Sequence, residues 1–64
     1  MKMMTLDAAI TEAVETRNIK LINGIAEKMM FLEGWTYERL YRKANEVTGI
    51  SSGDWYELIA EAER

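Results

Sequence analysis

Apolar residues recur along this chain at helical spacing in four stretches, and cap residues fill the breaks between them. In the first, Leu6, Ala9, Ile10, Ala13 and Val14 share one face while Glu12 and Glu15 lie off it. That period is the mark of an amphipathic helix. Thr5 precedes it as an N-cap whose hydroxyl can accept from a free amide of the first turn. Asp7 sits near the positive end of the helix dipole. The pattern predicts a helix from Thr5 to Thr16.

Arg17-Asn18 breaks or bends the chain, and a second helix is expected from Ile19 to Glu33. Ile22, Ile25, Ala26, Met29 and Leu32 form its stripe, which Met30 and Phe31 widen beyond one face. Asn23-Gly24 is ambiguous. It is either a joint, with the first helix reaching Ile22, or a helical glycine tolerated at about 1 kcal/mol against alanine. A glycine there would also permit close helix–helix approach.

The third helix is the best punctuated. Gly34 ends its predecessor, Thr36 is the N-cap and Glu38 lies near the positive dipole end. Trp35 before the cap and Leu40 inside the helix make a hydrophobic staple. Tyr37, Leu40, Tyr41, Ala44 and Val47 form the expected buried face, and Gly49 fits the left-handed residue after the helix. The fourth helix opens at Ser51 as N-cap, with Asp54 three residues on and a second staple between Ile50 and Trp55. Trp55, Leu58, Ile59 and Ala62 line its apolar face, with Glu57, Glu61 and Glu63 on the rest. Acids near a helix C-terminus oppose the dipole, so this last turn should fray unless something docks on it. The fold expected is all-α: one domain over residues 1–64, a bundle of four short helices, or three if the first two merge.

Composition narrows the function. The 64 residues contain no histidine and no cysteine, which removes disulfides, imidazole or thiolate metal ligands and the commonest neutral-pH catalytic groups. A chain this short buries only about 60% of the surface its unfolded form exposes. Two Trp, three Tyr, one Phe and five Met must therefore fill a small core densely or meet a partner. The net charge of -3 offers no general attraction to nucleic acid or anionic membrane. Met1-Lys2-Met3-Met4 lacks the long apolar stretch of a secretion signal. No run approaches the ~18 apolar residues needed to cross a bilayer. A cytoplasmic setting is expected.

Candidate chemistry is sparse. Glu57 and Glu61 share a helix face one turn apart, as a metal-binding carboxylate pair would, but no Glu-x-x-His accompanies them. There is no phosphate-cradling glycine loop and no nucleophile elbow. No enzyme activity, cofactor or metal is expected. Arg39, Arg42 and Lys43 cluster on the polar side of the third helix. They read as an ordinary solvated face, with Arg42 flanked by Glu38 and Glu46 at i,i±4, or as a landing patch for an acidic partner or a phosphate backbone. Met3, Met4, Met30 and Phe31 are the candidate partner-binding residues, since methionine packs adaptably and aromatics are enriched at interfaces.

The segment from Leu40 to Ile59 resembles the helix-turn-helix of bacterial and phage repressors: an alanine on the first helix, Gly49 in the turn, Ile50 after it, Ser51 at the second cap and Leu58 in the core. Aligned on Gly49, the pattern's small residue falls on Asn45, and Trp55 replaces a smaller aliphatic. The resemblance implies a helix-turn-helix-like C-terminal half whose second helix would enter the DNA major groove. That helix carries Asp54, Tyr56, Glu57 and Glu61 and no cation before Arg64, a surface that repels phosphate. The function expected is therefore a non-enzymatic protein–protein interaction module, a regulator or inhibitor of a larger protein in the style of phage and mobile elements. A homodimer is one form its partnership could take. Nucleic acid and membrane are not expected partners. The alternative is a nucleic-acid-binding regulator using the basic patch of the third helix.

Overall fold

The computed structural model describes residues 5–64. Four α-helices follow one another: α1 (Leu6–Thr16), α2 (Ile19–Ala26), α3 (Tyr37–Thr48) and α4 (Ser52–Ala62). Between α2 and α3 the chain continues without a break into a π-helical turn, Glu27–Leu32. No strand occurs among the described residues.

Each helix start is fixed by the side chain before it. The Thr5, Thr36 and Ser51 hydroxyls accept from the backbone amides of Ala8, Arg39 and Asp54 at 3.1, 3.1 and 3.2 Å, satisfying donors that the first turn leaves free. Asn18 caps α2 in the same way, accepting from the Leu21 amide at 3.2 Å. The same residue closes α1. Arg17 adopts the left-handed conformation (φ 51°) and its amide donates to the Ala13 carbonyl. The Asn18 amide donates to that carbonyl as well, at 3.1 Å, the 6→1 bond of a Schellman closure. One helix therefore ends and the next begins at a single residue, and α1 and α2 do not merge. The chain stays helical through Asn23-Gly24, so this pair is no joint. Gly24 serves no close approach either, because a Cβ built there meets nothing within 4 Å.

α1 packs on α2 and α3, and α4 packs on α2 and α3. The contacts thus run in a ring, α1–α2–α4–α3, around one interior. Into it project Ile10 and Ala13, Ile22 and Ile25, Met29, Leu40 and Ala44, Ile50, and Trp55, Leu58 and Ile59. The radius of gyration, 10.7 Å, is what the scaling for folded chains gives at this length. No polar or charged residue is buried among the described residues. The turn between α3 and α4 is braced from within. Asn45 donates its amide to the Ile50 carbonyl at 3.0 Å, and the Thr48 hydroxyl accepts from the Ile50 amide at 3.2 Å. Gly49 supplies the positive φ of 76°. Held this way, Ile50 and Trp55 both reach the core as the staple pattern predicts.

Leu32 departs from expectation. The α-helical stripe places it inward with Met29, yet its side chain is 77% exposed. The π turn is the cause. Its bonds reach from residue i to i+5, as in the Glu33 amide to the Lys28 carbonyl at 3.0 Å. A wider turn advances less per residue, so Leu32 falls short of the core face. The Trp35 amide then closes the segment on the Met29 carbonyl at 2.8 Å, with Gly34 at φ 75°. Val47, Tyr37 and Tyr41 are half-buried and not interior, so the buried face of α3 is narrower than its pattern suggests.

Two backbone positions carry removable strain. A left-handed L-residue costs roughly 1–2 kcal/mol, and a helical glycine about 1 kcal/mol against alanine. Arg17→Gly and Gly24→Ala should each stabilise the chain by about 1 kcal/mol, a rise of roughly 4–8 °C in thermal midpoint, as read by circular dichroism. A third substitution tests the core. Trp55 is fully buried, and its indole N–H finds no acceptor in the protein, at a cost of about 1–3 kcal/mol. Trp55→Phe, which sheds that donor, should cost less than about 2 kcal/mol in a denaturant melt, whereas Trp55→Ala should cost about 3–5 kcal/mol.

Candidate docking groove

α2 packs on α4, and a groove opens beside the last turn of α4. The small side chains Ala26 and Ala62 leave a groove of about 340 Å³ there. Ala26, Met30, Ile59 and Ala62, all buried or half-buried, form its floor. Phe31 walls it, and Asn23, Glu27 and Glu63 stand exposed at its edge. Phe31 is 83% exposed and Leu32 follows it on the same π turn. Met30 and Phe31, two of the sequence-predicted partner residues, are therefore brought to one groove. Met30 also packs against the core, so it serves both roles considered for it. Met3 and Met4 lie outside the described residues. A smaller cleft of about 200 Å³ opens between α1 and α2 beside Leu6, Leu21 and Lys28.

Sequence reasoning found Met30 and Phe31 but assigned no binding role to the other residues that line the groove. It read Ile59 and Ala62 as the apolar face of the fourth helix and Glu63 as part of its polar side, made no assignment for Glu27, and placed Leu32 inside. Two signals were available: the Met29-Met30-Phe31-Leu32 run, too long for a single helical face, and the acids at the C-terminal end of the fourth helix.

The three cations of α3 are each engaged. The Arg39 guanidinium lies 4.1 Å from the centroid of the Trp35 ring, a cation–π geometry. Arg42 pairs with Glu38 at 2.7 Å between exposed side chains, and the second partner expected for it, Glu46, forms no ion pair among the described residues. Lys43 reaches across to Asp7 at 3.0 Å, linking α3 to α1. Its hydrogen bond to Asp7 and then the Asp7 charge raise the ammonium above its ordinary pKa; desolvation opposes this and Glu46 adds to it. On α4, Asp54, Tyr56, Glu57 and Glu61 are all exposed, so its outward side is acidic. No group of three acidic side chains gathers closely enough to hold a metal ion among the described residues. None of the described helices is long and apolar enough to cross a membrane.

No protein-family model, curated protein or solved structure matches this chain significantly. The functional reading rests on its own geometry.

Tyr37 gives a pH dependence. Burial first, and then the charges that Tyr56 and Tyr41 would carry, raise its pKa above the ordinary 10.0. Lys43 is raised from 10.5. Both folded values exceed the unfolded ones, so the stability they contribute is full below the unfolded pKa and is lost as pH rises through the folded pKa. The thermal midpoint should hold from neutral to mildly alkaline pH and fall above about pH 10. In the Tyr37→Phe/Lys43→Gln variant that alkaline fall should be shallower, as followed by melts in a pH series.

Proposed function

We propose that this chain is a non-enzymatic protein-interaction module, a cytoplasmic regulator or inhibitor of a larger protein in the manner of small phage and mobile-element proteins. One observation carries the reading. The fold closes Ile10, Ile22, Leu40, Trp55 and Leu58 completely from solvent, yet leaves Phe31 and Leu32 on the surface beside an apolar groove. Burying one such side chain is worth roughly 1.5–3 kcal/mol. Two of them exposed together, next to half-buried Met30, form the kind of rigid aromatic and adaptable methionine surface that interface hot spots use. π turns also concentrate at functional sites.

A second reading, a helix-turn-helix nucleic-acid binder, has the short α3–α4 turn in its favour. Its charge distribution counts against it, because α4 is acidic outward and the α3 cations already have partners.

Both readings are tested with the full chain as bait. Phe31→Asp/Leu32→Asp alters only exposed side chains and should leave the circular dichroism spectrum unchanged. A discrete protein retained from lysate by the wild type should be lost with this variant, while Arg42→Glu/Lys43→Glu retains it. Binding to duplex DNA that falls steeply with salt and is abolished by the charge reversal would overturn the interaction module in favour of the nucleic-acid binder.

A further inference from the structure

We infer that the groove between the π turn and α4 receives a cationic amphipathic helix of a partner protein, not a second copy of this chain. This rests on the interaction-module reading and specifies its partner. Shape comes first. The groove runs along the chain from Asn23 to Phe31 and meets only the last turn of α4, a length of about 12 Å at 1.5 Å per residue, so it flanks about two turns of a docked helix. Its floor combines small Ala26 and Ala62 with Met30 and Ile59, leaving room for a large apolar side chain between them. Helices that dock in such grooves present apolar anchors at i, i+3, i+4 and i+7.

Charge then chooses the occupant. Glu27 from the α2 side and Glu63 from the end of α4 both line the groove, and no cation does so among the described residues. α4 ends at Ala62, so the negative end of its dipole coincides with Glu63. Glu61, in the same last turn, lines the neighbouring cleft with Arg17 and Arg64, so the groove's own acids are Glu27 and Glu63. Placing acids at a negative helix end is unfavourable for the isolated chain and becomes favourable when a cation sits against them. The cations nearest in sequence do not supply it, because Lys28 and Arg64 line other clefts. A second copy would make this worse. In a two-fold dimer the same patch meets itself, so Glu27 and Glu63 would enter an interface whose groove supplies only more acids, between chains that each carry -3. A helix with leucines on one face and lysines flanking them satisfies both the floor and the edges.

The test uses three synthetic helical peptides labelled for fluorescence anisotropy and titrated with the full-length chain. The first carries leucines at i, i+3, i+4 and i+7 flanked by lysines, the second replaces its lysines with glutamates, and the third scrambles the first so that no apolar face remains. Saturable binding is expected for the first peptide alone. Phe31→Ala should weaken it about tenfold by removing an aromatic anchor. Glu27→Gln/Glu63→Gln should weaken it and flatten its dependence on salt, because exposed charge attraction is screened. All these side chains are exposed, so the variants keep the fold. Equal binding of the lysine and glutamate peptides would overturn the cationic partner while leaving the interaction module standing. Binding of none of them overturns it as well. Concentration-dependent dimerisation in sedimentation that Phe31→Asp abolishes would identify the second copy as occupant and overturn the proposal. Loss of no captured protein in the bait experiment above would instead remove the reading beneath it.

Discussion

Everything in this fold depends on closing one apolar interior around Trp55. The indole enters from the first turn of α4 and is fully enclosed together with Leu40 from α3, Leu58 from α4, Ile22 from α2 and Ile10 from α1. A chain this short has too little interior for a second cluster, so each helix can turn only one face inward. The ring of contacts α1–α2–α4–α3 is the arrangement in which four short helices share one centre. α2 touches both α1 and α4, and its continuation therefore decides which leftover apolar side chains face outward.

The π turn makes that decision. By widening the helix after Ala26 it keeps Met29 in the core and turns Leu32 away from it. A second unfavourable feature lies beside it, the acids at the negative end of α4. Local choices in natural sequences generally agree with the global fold, and the departures gather where function requires them. Here two departures of different kinds, exposed apolar side chains and misplaced anions, meet across one groove. Neither helps the isolated chain, and both suit a partner that is greasy on one face and cationic at its edges.

Much of this was legible in the residues. Thr5, Thr36 and Ser51 are caps because a short hydroxyl before an apolar period has one obvious use. Gly49 follows α3 with the left-handed backbone expected of it. The faces of α1 and α4 came directly from their periods. Other features were hidden by their nature. The break at Arg17-Asn18 was expected, but not that Asn18 both closes α1 and caps α2, which requires Arg17 to take a left-handed conformation. The Lys43–Asp7 pair joins residues far apart in sequence, while the local pairing rules see only i,i+4 neighbours. The braces from Asn45 and Thr48 to Ile50 depend on the path of a turn, not on composition.

The sequence by itself determined that this protein is helical, where its four α-helices begin, and that disulfides and histidine or cysteine metal ligation are beyond it. Those properties follow from local rules: a cap, a period, a missing side chain. Only the tertiary structure decided which of two apolar neighbours is inside and which is outside. A π turn shifts the phase of every residue after it, and an α-helical period read along the sequence does not register that shift. The groove likewise belongs to no single segment. It is the space left where Ala26 on one helix and Ala62 on another are too small to meet.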